Sequence, residues 1–345
     1  MKARSAALQG GLAVLGLIAA FATWQRPKET AKKEGVTLVE ASKASLERVA
    51  YEDGTRSLTV EKKDRLEVTL AWLPGKRPVV DAGIALVDVP DAGVDGGTVV
   101  AAAKPAEPAP DRTVYASERG DDLWAKFTPF EATRALGPLS KEKLDELGLT
   151  GSERKLELRV AGATRRFTLS KPVPGLIGAY AQDEKGEVYL LPSSLFALLD
   201  PTSGVLIDRR LHTFKQAEFD AFSVAADGKK ADFVQTGAEI PQTAKVARAA
   251  TPGTPDELAK NWHEKIWNRL VVTEVLGLGE LPKHGEPTVQ LRLEYAQKGK
   301  AKGWLELGLD STQGTWARSE NTPGWVAIHQ GAEELVIEGK RLAAQ

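Results

Sequence analysis

The chain contains no cysteine. That absence excludes disulfides, thiolate metal sites, thiol nucleophiles and lipid attachment through a lipobox cysteine. It is compatible with an oxidising compartment but does not prove residence there. An excess of charge of one sign is also missing. Lys and Arg number 46 against 47 Asp and Glu in 345 residues, a net charge of -1. Such a balance leaves no electrostatic footprint for nucleic acid. Histidine is scarce, and His212, His263, His284 and His329 show no metal-ligand spacing. There is no Walker-type phosphate loop and no G-x-S-x-G elbow. Asp91 and Asp95 lack the alternating ligands and closing Glu of a calcium loop. The chain therefore reads as non-enzymatic, with no catalytic residue, cofactor or metal expected. A hydrolase with a dispersed site, its carboxylates meeting only in space, stays open as an alternative.

Long apolar runs are missing too, with one exception at the N-terminus. Lys2 and Arg4 precede an uncharged stretch of about 21 residues that Arg26 closes. Its apolar side chains are Leu8, Leu12, Val14, Leu15, Leu17, Ile18 and Phe21, with Trp24 placed as an interfacial aromatic. Residues 1–26 read as a transmembrane anchor; "AFA" at Ala20–Ala22 also suits a signal-peptidase site, so cleavage is the rival reading. Either way the bulk of the chain is expected outside the cytoplasmic membrane.

Beyond Arg26 the chain is polar and then β-rich. Residues 27–45 read as a tether, and 46–210 as a first module of short alternating runs separated by turn residues such as Asp53-Gly54. Within it, residues 81–112 consist largely of Ala, Gly, Pro, Asp and Val, a composition that predicts a disordered insert. Residues 211–345 read as a second module, with a flexible linker at about 236–253. The strongest helix signal comes after that linker. Thr254 can cap, Pro255 suits the first turn, and Asp256 and Glu257 suit the positive end of the dipole. Leu258, Trp262, Ile266 and Leu270 form the predicted apolar stripe, with His263 and Glu264 on the helix surface.

An aromatic repeat runs through the chain. Tyr115 and Trp124, Tyr180 and Tyr189, and Trp316 and Trp325 are each nine positions apart, and Ala follows the first aromatic every time. Before the second and third copies stand matching segments: Leu147–Leu149 and Leu276–Leu278, then "LELRV" and "VQLRL". Copies offset by about 130 residues indicate a tandem duplication. The intervening residues are rich in turn formers, including Asp121-Asp122 in the first copy. A hairpin with an even-numbered loop would set the two aromatics opposite one another on one face. We read these pairs as scaffold; a stacking platform for glycan or peptide is the functional alternative. Asp208, Arg209 and Arg210 form a charged connector that could serve as an interaction edge.

The run from "LGLTGSERKLELRV" through "GAYAQDEKGEVYLLPSSLFALLDP" to "LIDRRLHTF" resembles the bacterial domain-of-unknown-function family numbered 4340. The residues that carry it are Gly148-Leu149, Tyr180 to Leu191, Ser193 to Leu199 and Asp208 to Phe214, within a likeness spanning about residues 45–340. The resemblance implies a single-pass inner-membrane protein with its bulk in the periplasm. It also implies an accessory role beside permease or accessory subunits of a gliding-motility-type ABC transporter. Composition, pattern and resemblance together predict an α+β fold. It would comprise tandem related modules of antiparallel hairpins and meanders packed with a few helices, preceded by a membrane helix.

Overall fold

A computed structural model describes residues 35–78, 108–171, 178–239, 243–329 and 332–345. The proposed anchor, Leu8 to Trp24, lies outside these residues, as does most of the 81–112 insert. Among the described residues no helix is long and apolar enough to cross a membrane.

In chain order, β1 (Val36–Val39) leads into a meander of β2 (Leu46–Glu52), β3 (Arg56–Lys62), β4 (Leu66–Trp72) and β5 (Arg112–Tyr115). Helix α1 (Glu118–Lys126) comes next, then β6 (Phe130–Ala132), β7 (Arg134–Pro138) and the short helix α2 (Lys141–Glu146). After these stand β8 (Lys155–Val160), β9 (Ala163–Leu169), β10 (Gly178–Asp183), β11 (Glu187–Pro192) and α3 (Ser193–Phe196). These build a nine-stranded antiparallel sheet in the order β5-β4-β3-β2-β8-β9-β10-β11-β7, with β1 and β6 paired separately. The second half contributes β12 (Ala221–Ala226), β13 (Lys229–Thr236), β14 (Lys245–Arg248), helix α4 (Glu257–Arg269) and β15 (Val272–Val275). It ends with β16 (Thr288–Gln297), β17 (Lys300–Leu309), β18 (Thr315–Ser319), β19 (Val326–Ile328) and helix α5 (Ala332–Ala344). Its eight strands run β14-β13-β12-β16-β17-β18-β19-β15.

Antiparallel sheet dominates, as the expected hairpins and meanders with a few helices require, and the fold is mainly β with some helices. Alternation explains the strands. In β3, Leu58 and Val60 point inward between polar neighbours; in β8, Leu156 and Leu158 do the same. Asp residues set the turns. The Asp53 carboxylate accepts from Thr55 N, Thr55 Oγ1 and Arg56 N at 2.7–2.8 Å, and Gly54 between them adopts φ 97°. The same Asp-x-Thr clasp recurs at Asp200/Thr202 and Asp310/Thr312.

Several segments are more ordered than composition suggested. The tether contains β1, and the predicted 236–253 linker contains β14. The insert ends earlier than 112, because Trp72 donates Nε1 to Ala109 O and its backbone N–H to Asp111 Oδ1. For β1 and for residues 109–111 the partners, β6 and Trp72, are distant in sequence, which local composition does not encode; β14 pairs with the preceding strand β13.

Each sheet buries one face, and a continuous apolar core runs from Val39 to Ala343. Leu123, Trp124, Phe127 and Phe130 cover part of the first sheet, while α4 and α5 pack over β12, β13, β14 and β16 of the second. Gly339 permits the close approach of α5: a Cβ there would lie 2.7 Å from both Leu291 Cδ2 and Trp262 Cζ2. In an open helix Gly→Ala stabilises by about 1 kcal/mol. Here the sign should reverse, and Gly339→Ala should lower stability by about 1–2 kcal/mol in chemical denaturation, because the buried ring and branched chain must give way. A gain in stability would show that the helix has room to shift outward.

Candidate functional site

Within the connector Asp208-Arg209-Arg210, Arg209 and Arg210 are exposed but Asp208 is not. The Asp208 side chain is 2% exposed and lies where the two sheets meet. Its Oδ1 accepts from the Arg210 backbone N–H and Nε, both at 3.0 Å, and its Oδ2 from Arg210 Nη2 at 3.0 Å and Asn321 Nδ2 at 3.3 Å. Arg65, from the β3–β4 turn, approaches the same oxygen at 3.6 Å. Arg65 also donates to Asn321 Oδ1 at 2.8 Å and to Asn321 O at 3.1 Å, and its guanidinium lies over the Tyr115 ring at 4.1 Å. Asn321 closes the circuit by donating to Arg210 O at 2.7 Å. The cluster draws Arg65 and Tyr115 from the first sheet and Asn321 from the β18–β19 turn of the second.

Neighbouring contacts extend this junction. Arg210 Nη1 pairs with Glu118 at 2.5 Å, and Arg209 Nη1 donates to Thr273 O at 3.1 Å. Ser319 Oγ donates to Leu211 O. Arg112 Nη1 reaches Val275 O at 3.0 Å, and Leu278 N–H reaches Thr113 O at 2.7 Å, so the β5 edge meets the chain leaving β15. Burial pushes the Asp208 carboxyl up, but hydrogen bonds from Arg210, its charge and the Asn321 amide outweigh that and hold it below the usual carboxylate range.

The aromatic repeat does not form cross-strand pairs. Tyr115 ends β5 and Trp124 lies in α1, so the first copy is strand and helix rather than hairpin. Ser117 caps that helix by accepting from Arg119 N at 3.2 Å, with Glu118 and Asp121 in its first turn. Caps and turns use the same residue types, so composition alone does not separate a helix start from a hairpin loop. Tyr180 and Tyr189 do belong to a hairpin, but Tyr180 faces Leu190 and Tyr189 faces Ala181. The odd-numbered loop puts the two rings on opposite faces. In the third copy Trp316 faces Ala327, and Trp325 precedes β19.

The feature that recurs instead is an Asp six residues ahead of an aromatic. Asp183 Oδ2 accepts from Tyr189 OH at 3.4 Å, and Asp310 Oδ2 from Trp316 Nε1 at 3.0 Å. The spacing is present in the sequence as "DEKGEVY" and "DSTQGTW". Trp325 is buried beneath the Arg318 guanidinium at 4.5 Å, and Trp124 is in the core.

Helix α4 presents a different face from the one predicted. Asp256, not Thr254, caps it, accepting from Ala259 N at 2.9 Å. Residues spaced by four rotate about 40° per step around a helix, so the stripe from Leu258 to Leu270 cannot all face one core. Leu258 is 69% exposed, whereas Ala259, Trp262, His263 and Ile266 are buried. His263 stacks on Phe222, centroids 4.3 Å apart, and its Nε2 accepts from Trp267 Nε1 at 3.0 Å. Nearby, His212 Nδ1 meets Glu320 Oε1 at 2.9 Å within a cage of Phe214, Trp267 and Tyr295. Among the described residues no group of His, Cys, Asp and Glu could hold a metal ion. Comparison with known families, curated proteins and solved structures returns no match.

This geometry has two measurable consequences. Asp208→Ala removes the buried acceptor that Arg210, Arg65 and Asn321 share, while Arg210 keeps Glu118 and Arg65 keeps Asn321, and should lower stability by about 1.5–2 kcal/mol in urea titration; a loss under about 0.5 kcal/mol would show that the junction does not depend on this carboxylate. Burial and then the charge of His212 push His263 down to about 3. Between the unfolded value near 6.5 and about 3, the unfolded chain binds the extra proton. Stability should therefore be fully present above that range and fall by about 1 kcal/mol per pH unit as pH drops through it. His263→Phe should flatten that part of the pH profile; an unchanged slope would assign it to other groups.

Proposed function

We propose that the protein is a non-catalytic docking scaffold of two related β units, held at the bacterial inner membrane with its bulk in the periplasm. The relation between the units has support in the strand orders. Removing β5 from the first sheet leaves β4-β3-β2-β8-β9-β10-β11-β7, and the second sheet runs through the same path as β14-β13-β12-β16-β17-β18-β19-β15. In each, a helix separates the three-strand meander from the far edge strand, α1 in one and α4 in the other. A duplicated unit arrives at this shared non-sequential order without a second invention.

The observation that carries the scaffold reading is the commitment of five of the six repeat aromatics, all but Tyr180, to their own chain. Tyr115 lies under Arg65, Tyr189 and Trp316 are clamped by aspartates, Trp325 lies under Arg318, and Trp124 fills the core. Rings held this way shape a surface for others rather than stack on a glycan. The ABC-transporter partner rests on the family resemblance, and the anchor on the apolar run of residues 8–24. A single span beside a permease would raise the local concentration enough for modest periplasmic contacts to hold a complex.

Purification from native membranes in mild detergent tests the proposal. ABC permease or accessory subunits should co-purify, and replacing residues 1–26 with a cleavable signal should weaken their recovery. A monomer that finds no membrane partner and turns over a substrate would overturn it.

A further inference from the structure

The groove between α4 and α5 has a volume of 710 Å³ and is held open by its own walls. Lys265 Nζ bridges to both Glu338 oxygens at 2.8 and 2.9 Å, and Trp262 Nε1 donates to Leu335 O at 2.8 Å. Arg248 Nη2 donates to Gln345 Oε1 at 3.0 Å and fixes the end of α5. A groove fixed in this way needs little ordering on binding.

Its charge is lopsided. Lys265 and Glu338 neutralise one another, and Glu264 sits 3.9 Å from Lys260. That leaves Arg269 on one wall and Arg341 on the other, both exposed and with no hydrogen bond or ion pair among the described residues. Elsewhere Arg65, Arg210, Arg292 and Arg318 commit their guanidinium groups to partners within the protein. The last-turn positions of Arg269 and Arg341 suit the helix dipoles, but a dipole occupies none of the five N–H donors on each guanidinium. The same groove also offers an apolar side chain: Leu258, on the α4 wall at the end of the helix away from Arg269, is 69% exposed.

We propose that this groove docks an acidic amphipathic segment of a partner protein, with its carboxylates on Arg269 and Arg341 and an apolar side chain against Leu258. The inference deepens the scaffold reading and rests on it by giving the docking surface a place and a partner chemistry. A peptide segment fits better than a lipid surface, because the donors stand on opposite walls of a concavity that a flat headgroup layer does not enter. Helix-in-groove recognition combines apolar anchors with flanking charge in the same manner.

The test uses the full chain in neutral detergent and a fluorescein-labelled helical peptide of about 15 residues built from Glu and Leu in an amphipathic pattern. A second peptide carries Lys in place of Glu. Anisotropy should report binding of the Glu peptide alone, weakened about tenfold or more by Arg269→Glu with Arg341→Glu. Leu258→Ser should also weaken it while leaving the melting curve unchanged. Equal binding of both peptides, no binding of either, or an affinity indifferent to these substitutions would overturn the proposal. So would binding of phosphatidylglycerol vesicles through the two arginines in place of the Glu peptide. If transporter subunits co-purify with wild type and with the charge-reversed variant alike, the groove assignment falls and the scaffold stands. If no membrane partner co-purifies while the Glu peptide binds as expected, the membrane-scaffold reading falls and the groove stands.

Discussion

One buried carboxylate organises the meeting of the two sheets. Asp208 is removed from water with only Arg210, Arg65 and Asn321 to replace its hydration, and these come from the connector and from both halves of the chain. A desolvated charge is costly unless every lone pair is met, so the groups that meet it lose their freedom to separate. Arg65 feels this twice, because Tyr115 lies beneath its guanidinium and Asn321 accepts from it. The β5 edge then falls beside the chain leaving β15, and a backbone hydrogen bond from Leu278 to Thr113 joins the halves directly. A sheet edge that would otherwise invite another strand is partly occupied.

That arrangement joins the two sheets into one frame. The outer surfaces contribute charge in opposed rows, as where Arg292, Glu306 and Arg318 sit across β16, β17 and β18. The inner faces hold the apolar core. Binding chemistry is left to whatever the frame holds rigid and does not itself use, and the α4–α5 groove with its uncommitted arginines meets that description.

Much of the strand content was legible in the sequence, because inward residues such as Leu58, Val60, Leu156 and Leu158 alternate plainly with polar ones. The existence of α4 was legible from its acidic start, but its buried face was not. A four-residue stripe looks regular in print but drifts on a helix, so it leaves His263 on the predicted surface although the residue is buried. The repeat was visible, but its register was not, since one residue in a loop decides which face a tyrosine takes. The Asp208 cluster was the least legible of all. Its partners Arg65 and Asn321 are 256 residues apart, and nothing local marks Asp208 for burial. Composition also hid β1 and β14 in stretches read as tether and linker: the partner of β1, β6, lies far along the chain, and β14 is four residues within an Ala-rich run beside β13.

The claim that the junction locks the two sheets together is tested most directly by a double-mutant cycle between Arg65 and Asn321, read by urea unfolding of Arg65→Ala, Asn321→Ala and the pair. Residues from different halves that share hydrogen bonds and a buried carboxylate should be coupled by roughly 0.5–3 kcal/mol. Strict additivity of the two substitutions would contradict the account, because the halves would then be neighbours without a lock.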